Sequence, residues 1–192
     1  MFNIKNKKTI DEILKKNKPV IFISGHFANY ELMSMELTKA KVKLATIYRP
    51  LNNIFLNPFM ELLRKNFVCK NQIKKGLNGV KESLEYMKKG YSIALMVDQR
   101  VSEGPRINLF NYGAHTTTLP AQLSSRFDCD IIPIYISRNE NDKFEMEVLD
   151  PIYISESERK NKDLITKKIN TITEKLILRD PSQWILTHNR WK

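Results

Sequence analysis

Short apolar runs alternate with helical segments along most of this chain, and this alternation restricts the fold more than any other feature. The runs that predict buried strands, each rich in β-branched or other large apolar residues, are 20–23, 42–48 and 91–97. Segments with helical spacing separate them, beginning at Leu32 and then covering 54–66 and 79–89. Buried strands separated by helices predict an α/β domain with a mixed, mostly parallel sheet flanked by helices.

The second half of the sequence continues this alternation. A predicted helix over 119–127 leads into the apolar run 130–136, where Pro133 favours an edge strand or a bulge because proline has no N–H for a sheet ladder. Residues 143–149 alternate like a half-buried strand, and residues 163–179 form the clearest amphipathic helix. Since no repeat, linker or low-complexity segment interrupts the pattern, one domain is expected.

Polar residues follow three of the predicted strands. His26 comes shortly after the first strand, Arg49 directly after the second and Asp98 directly after the third. Each residue alone is more typical of a loop or a cap. Because strands in α/β domains present their carboxyl ends at one edge of the sheet, the three side chains are expected to converge there.

His26 and Glu31 stand five positions apart at the junction between the first strand and the following helix. Five helical residues turn through roughly 500°, so the two side chains could not share a face if both were helical. They can meet if His26 precedes the first turn, and Gly25 permits the necessary bend. The alternatives are therefore a His–Glu pair in a site, or a loop histidine beside a solvated helical glutamate.

Five blocks of sequence, in order, resemble the late acyltransferases of bacterial lipid A synthesis, the lauroyl/myristoyl transferase family. The first, Gly25-His26-Phe27-x-Asn29-Tyr30-Glu31, has the His-x-x-x-x-Glu spacing of that family. The others are Tyr48-Arg49-Pro50-Leu51-Asn52-Asn53, Asp98-Gln99, the stretch from Phe110 and Gly113 through Thr116-Thr117-Thr118 and Arg126 to Ile132-Pro133, and Gln183-Trp184 with His188 and Arg190-Trp191-Lys192.

The resemblance implies a glycerolipid-acyltransferase-like fold and transfer of a fatty acyl chain from an acyl-acyl carrier protein thioester to a hydroxyl of a lipid A precursor. His26 would act as the general base, and Glu31 would orient its ring and stabilise its charged form. Arg49 would stabilise the oxyanion, or alternatively hold a lipid phosphate. No metal or organic cofactor is required. The substrate-binding residues that the resemblance implies are Arg49, Asn53, Asp98, Gln99 and Thr118.

Members of that family usually carry a membrane-anchoring helix and a helical region ahead of the histidine, whereas 25 residues precede His26 here. The sequence is therefore interpreted as a single acyltransferase domain, residues 1–192, in which those parts are missing. No run approaches the roughly 18 apolar residues of a spanning helix. Peripheral attachment at the cytoplasmic face of the inner membrane is expected.

The net charge of the chain indicates which classes of partner it can attract. Thirty-two basic and 21 acidic residues give a net charge of +11, which attracts polyanions. Expected partners are the anionic acyl carrier protein, an anionic lipid acceptor and the membrane surface; no aromatic-interleaved basic motif indicates specific nucleic acid binding. Two alternatives stay open: another lipid acyltransferase, of glycerolipid type, or a catalytically silent basic module that binds anionic membrane or nucleic acid.

Overall fold

A β-sheet surrounded by helices forms the centre of the protein in the computed structural model, which describes residues 3–186 and 189–192. Its strands are β1 (Asn3–Lys5), β2 (Ile21–Ser24), β3 (Leu44–Tyr48), β4 (Gln72–Lys74), β5 (Ser92–Met96), β6 (Arg106–Leu109), β7 (Tyr112–His115), β8 (Ile131–Arg138) and β9 (Phe144–Val148). Its helices are α1 (Lys7–Lys16), α2 (Glu31–Lys39), α3 (Leu56–Leu63), α4 (Leu77–Lys88), α5 (Leu119–Phe127) and α6 (Lys162–Arg179).

Seven strands make one sheet in the order β1-β9-β8-β2-β5-β3-β4. Every neighbouring pair in it is parallel except β8 and β9, which are antiparallel. Strands β6 and β7 form a separate antiparallel hairpin. The predicted α/β fold with a mixed, mostly parallel sheet is therefore confirmed.

Helices cover both faces of the sheet, because the central strands are apolar on both sides. On β2, Phe22 joins one core cluster with α1 and α2, while Ile21 and Ile23 join a second with α4, α5 and α6. This alternation is the ordinary two-residue period of a strand. It holds β2 rigidly in the middle of the sheet, so the residues after Ser24 start from a fixed position.

Pro133 does not lie on an edge strand or in a bulge, contrary to the prediction. Strand β8 lies inside the sheet between β9 and β2. Pro133 is opposite Ile23 of β2, and the ladder with β9 starts one residue later, at Ile134. The missing N–H therefore costs no bond of the β8–β9 ladder, which makes proline acceptable in an interior strand.

Three short strands escaped sequence prediction. Strands β1 and β4 are three residues long and carry polar residues, and β7 begins the stretch 112–118, whose sequence favours a turn leading into the helix over 119–127. Near the N-terminus, Ile10, Ile13 and Leu14 have the spacing of a short amphipathic turn, which in the structure is the ten-residue helix α1. Strands this short have too few residues to show a period, so only their neighbours in the sheet define them.

Helix α3 continues into a π-helical turn, Arg64–Val68, which lies against α2. The predicted helix over 54–66 is present, and its spacing puts Phe55, Phe59, Leu62 and Leu63 on one predicted apolar face. Of these residues, Phe55, Phe59 and Leu62 are exposed and Leu63 is half-buried.

Candidate active site

His26 lies two residues beyond the carboxyl end of β2, in a loop that the C-terminal segment holds in place. The His26 carbonyl accepts the N–H of Ile185 at 2.9 Å, and the Ala28 N–H donates to the Gln183 carbonyl at 2.8 Å. Helix α2 begins only at Glu31, so His26 precedes the first helical turn. These two hydrogen bonds to the C-terminal segment hold the backbone around His26 in place.

Asp98 is the hydrogen-bond partner of the His26 ring. Its Oδ1 lies 2.7 Å from Nδ1 of His26, and its Oδ2 accepts the His26 backbone N–H at 2.8 Å. The indole Nε1 of Trp184 also donates to Oδ2, at 2.9 Å. With Nδ1 held by an ionised carboxylate, Nε2 is left as the ring nitrogen that can accept a proton.

The environment of Asp98 keeps it ionised. Its side chain is 1% exposed, and this burial by itself would raise the pKa of the carboxyl group. The hydrogen bonds from His26 and Trp184 outweigh burial and hold the pKa of Asp98 below its ordinary value. The carboxylate is therefore available as the acceptor that bonds Nδ1 of His26.

Glu31 does not orient His26, and this corrects the interpretation of the His-x-x-x-x-Glu spacing. The Oε1 atom of Glu31 accepts bonds from Nε and one terminal nitrogen of Arg64, at 2.9 and 2.7 Å. Arg64 opens the π-helical turn after α3, and this turn packs on α2. Asp98 reaches the ring instead because β5 is the parallel neighbour of β2, with Ser24 opposite Met96.

Gly25 is required for space, since its φ is not positive. A Cβ atom at this position would lie 2.7 Å from two ring carbons of Phe27, and 3.3 Å from Cγ of Asp98. Phe27 is fully buried, so its ring has little freedom to move away.

We therefore expect Gly25→Ala to displace Phe27 and Asp98 and to weaken both stability and activity. Overpacking of this kind costs about 1–3 kcal/mol. Thermal unfolding measured beside enzymatic turnover would check this. Gly113→Ala is a suitable comparison, because its φ is not positive and a Cβ there would lie 3.4 Å from Nε of Arg106, outside the loop that carries His26. A Gly25→Ala variant as stable and active as the wild type would contradict the tight packing.

A cavity of about 330 Å³ opens at the carboxyl ends of neighbouring parallel strands. The polar side chains that line it include His26, Tyr30, Glu31, Arg49, Arg64, Lys75 and Gln99. Asp98 lies behind His26, with its carboxylate against the ring. The structure thus brings His26, Arg49 and Asp98 together, as the positions of the strand ends predict.

Three of the predicted substrate-binding residues lie outside the described lining of this cavity: Asp98, which lies behind His26, and also Asn53 and Thr118. Asn53 accepts the N–H groups of Phe55 and Leu56 and so caps the start of α3. The Thr118 hydroxyl accepts a hydrogen bond from the Gln122 side chain at the start of α5. Their neighbours Asn52 and Thr117 line the cavity instead. The lining residue is the preceding one in each case, a distinction that sequence blocks without side-chain directions cannot resolve.

Lys75 is a cavity residue that the sequence did not reveal. It follows β4, and its N–H donates to the Tyr48 carbonyl at 2.9 Å, next to Arg49. Burial and, after it, the charge of Arg49 lower the pKa of Lys75. In a chain with so many lysines, its position was visible only once β4 had been placed in the sheet. Two adjacent cations give the cavity a site for an anion.

Tyr30, Arg64 and Trp184 complete the site and were also missed as functional residues. The Tyr30 ring contacts the His26 ring edge-on, with centroids 4.5 Å apart. Tyr30 belongs to the first sequence block and Trp184 to the C-terminal block, and these blocks were the signals available in the sequence. His188 of that block lies outside the described residues.

In the part of the chain that the structure describes, neither a metal-binding group of side chains nor a bilayer-spanning helix is present. There, no three His, Cys, Asp or Glu residues are grouped so that they could hold a metal ion. No helix within 3–186 and 189–192 is both long and apolar enough to traverse a bilayer.

Comparisons with known proteins give the family. No curated protein sequence matches the chain. Among solved structures, it is similar to the 1-acyl-sn-glycerophosphate acyltransferase PlsC from Thermotoga maritima, with 16% identity and a TM-score of 0.47 over 96% of this chain and 74% of that one. The family described as "Bacterial lipid A biosynthesis acyltransferase" matches residues 1–192. Since that match covers the whole chain, the protein belongs to the bacterial lipid A biosynthesis acyltransferase family.

Proposed function

We propose that the protein transfers a fatty acyl chain from an acyl-acyl carrier protein thioester to a hydroxyl group of a lipid A precursor. The observation that carries this proposal is the His26–Asp98 pair, in which Nδ1 of His26 lies 2.7 Å from Oδ1 of Asp98. His26 lies at the wall of a cavity that the cationic side chains of Arg49 and Lys75 also line. Family membership indicates lipid acyl transfer. The pair supplies a base for that reaction, and the cations suit a phosphorylated acceptor.

The chemistry follows from the state of the ring. Nε2 of His26 takes the proton of the acceptor hydroxyl as its oxygen attacks the thioester carbonyl carbon. The tetrahedral oxyanion collapses, the C–S bond breaks, and the thiolate receives the proton from the imidazolium. Asp98 stabilises that imidazolium, since its buried carboxylate is bonded to Nδ1. All atoms and charges balance without a redox partner.

Glu31 has a different role in this proposal. Its ion pair with Arg64 fixes a cationic side chain in the cavity wall. The Arg64 side chain is 11% exposed, so packing against its neighbours also holds it in place. Glu31 is therefore proposed as a residue that positions Arg64 for the substrate, not as the partner of the base.

The direct test is transfer of a labelled acyl chain by the purified protein. We expect transfer from acyl-acyl carrier protein to a phosphorylated lipid A precursor, measured by separation of the lipid product. A 1-acylglycerol phosphate acceptor serves as the comparison. Transfer to that acceptor alone would replace lipid A with a glycerolipid as the substrate, and no transfer to either would contradict the proposal.

Arg49 is proposed to hold an acceptor phosphate rather than the oxyanion. It is exposed at the cavity and close enough to Lys75 to lower the pKa of that lysine. Two like charges side by side are stabilised when an anion binds between them. The oxyanion role, which the sequence favoured, offers no reason for the second cation.

We therefore expect Arg49→Ala and Lys75→Ala each to raise the acceptor concentration at half-saturation by about tenfold while changing kcat little, because a phosphate contact is made equally in the ground and transition states. Steady-state kinetics with varied acceptor would measure both constants. A fall in kcat with unchanged half-saturation for Arg49→Ala would return this residue to the oxyanion role. Arg49→Lys should retain part of the affinity, since it keeps the charge but not the fork of donors.

A further inference from the structure

Helix α3 turns its two polar residues, Asn57 and Glu61, toward the protein and leaves its large apolar residues Leu56, Phe59 and Leu62 exposed, whereas an ordinary surface helix buries such residues. Asn57 and Glu61 lie one turn apart and face the protein. The Asn57 side chain accepts the Leu51 N–H at 2.8 Å and donates to Glu61 at 2.8 Å. Glu61 also accepts the Tyr48 hydroxyl at 2.7 Å and pairs with Lys74 at 3.1 Å.

These polar contacts fix the rotation of the helix. Hydrogen bonds from Tyr48, and then from Lys74 and Asn57, lower the pKa of Glu61 to about 2. Its carboxylate is therefore charged and satisfied on the inner side. Turning the helix to bury its apolar side would break these bonds and leave charged groups without partners.

The outward side of the segment is apolar and exposed. Phe55 is 84% exposed and Phe59 57% exposed. The other large exposed apolar side chains of this segment are Leu51, Ile54, Leu56, Leu62 and Phe67. Together these seven residues form what is called here the apolar α3 face. So many large exposed apolar side chains within 17 residues of chain indicate a surface that meets an apolar partner.

Basic residues dominate the same stretch of chain. Between positions 49 and 75 the sequence has Glu61 as its one acidic residue, and Lys74 pairs with it. The basic residues of this stretch are Arg49, Arg64, Lys65, Lys70, Lys74 and Lys75. An exposed apolar patch with cations beside it complements the surface of an anionic bilayer, which offers acyl chains beneath negative headgroups.

The cavity lies beside this face. Arg49 through Asn52 line the cavity, and the chain then continues directly into Ile54 and Phe55 of the apolar α3 face. A surface that binds lipid at α3 would therefore bring the cavity mouth to the headgroup layer.

We propose that the apolar α3 face is the docking surface of the protein on an anionic lipid bilayer. Phe55, Phe59 and Leu62 enter the boundary between headgroups and acyl chains, and the neighbouring lysines bind the headgroups. A second copy of the chain fits less well, because symmetric pairing of this face would set its basic residues against their own counterparts. The purpose of this docking, delivery of a lipid acceptor to the cavity, rests on the proposed function. Binding of the protein to the bilayer does not itself require catalysis.

Flotation of the full chain with phosphatidylcholine vesicles, with and without phosphatidylglycerol, tests this surface. We expect the double substitution Phe55→Ser/Phe59→Ser to lower the bound fraction by about tenfold or more, because both side chains supply buried apolar area on the membrane. The matched control is Tyr153→Ser/Leu178→Ser, which removes two side chains of similar exposure, 80% and 65%, outside this segment. The control should bind like the wild type.

The charge contribution is tested separately. Lys65→Gln/Lys70→Gln should weaken binding only to vesicles that contain phosphatidylglycerol, and added salt should have the same effect on the wild type. Thermal unfolding of these three double variants should show that the fold is kept, since all six replaced residues are exposed.

Unchanged flotation of Phe55→Ser/Phe59→Ser would overturn the proposal. So would a dimer of the wild type without vesicles that becomes a monomer in this variant, which would assign the face to a second copy. His26→Ala should float like the wild type. Normal flotation without acyl transfer by the wild type would count against the proposed function alone and leave the docking surface standing.

Discussion

Replacing His26 by Ala should abolish acyl transfer, with the rate falling to that of the uncatalysed background. The ring is the group in this cavity that combines a free nitrogen with a carboxylate partner, so its loss removes the base. Positioned acid–base groups contribute on the order of 10²–10⁴ in rate. The measurement is single-turnover transfer of a labelled acyl chain from acyl carrier protein to the lipid acceptor.

Stability should change little in this variant, because the His26 side chain is 13% exposed and lines a cavity rather than the core. The substitution leaves Asp98 with the Trp184 and backbone donors, so that carboxylate keeps two of its three bonds. His26→Gln is a second variant that keeps polar volume at the cavity wall but lacks a base. Transfer by either variant at the wild-type rate would rule out His26 as the base.

Asp98→Asn should lower the rate constant for transfer by a factor on the order of 10²–10⁴, comparable to the loss of a positioned acid–base group. The neutral amide cannot stabilise the imidazolium as the carboxylate does. Its NH₂ group can donate a hydrogen bond to Nδ1, which would change the tautomer of the ring. Nitrogen-15 NMR of labelled histidine would report this change directly, through the shifts of Nδ1 and Nε2. A purely structural role for Asp98 would leave the tautomer of His26 unchanged.

Glu31→Gln is the matched control for Asp98→Asn. It removes the Glu31 carboxylate, which lines the same cavity as His26 but bonds to Arg64. Glu31 is near His26 in sequence, whereas Asp98 is near it in space. We expect the histidine NMR signals to stay as in the wild type and the acceptor half-saturation to rise. If Glu31→Gln instead altered the tautomer and Asp98→Asn did not, Glu31 would be the residue that orients His26, as the His-x-x-x-x-Glu spacing predicts.

Local pattern determined the framework of this protein. Apolar β-branched runs defined β2, β3, β5 and β8 to within a few residues, and helical spacing defined α5 at its observed bounds, 119–127. Since the strands are parallel, polar residues just beyond them had to meet at one edge, which located His26, Arg49 and Asp98 near one another. The ordered sequence blocks identified the family that the whole-chain match shows.

Which carboxylate binds the histidine was decided only by the tertiary structure. Glu31 is five positions from His26 and Asp98 is 72, yet β5 lies beside β2 in the sheet and places Asp98 against the ring. Strand order is a long-range property that no local period encodes. Lys75 and Trp184 reached the site in the same way, through β4 and the C-terminal segment.

The direction of the apolar side of α3 was likewise invisible in the sequence. A helix with Phe55, Phe59 and Leu62 on one side predicts burial of that side against a core. The structure turns it outward, because Glu61 bonds to Tyr48 and Lys74 on the inner side and Asn57 bonds there to Glu61 and to the Leu51 N–H. Periodicity determined that the helix has two unlike faces, and tertiary hydrogen bonds decided which of them meets the protein.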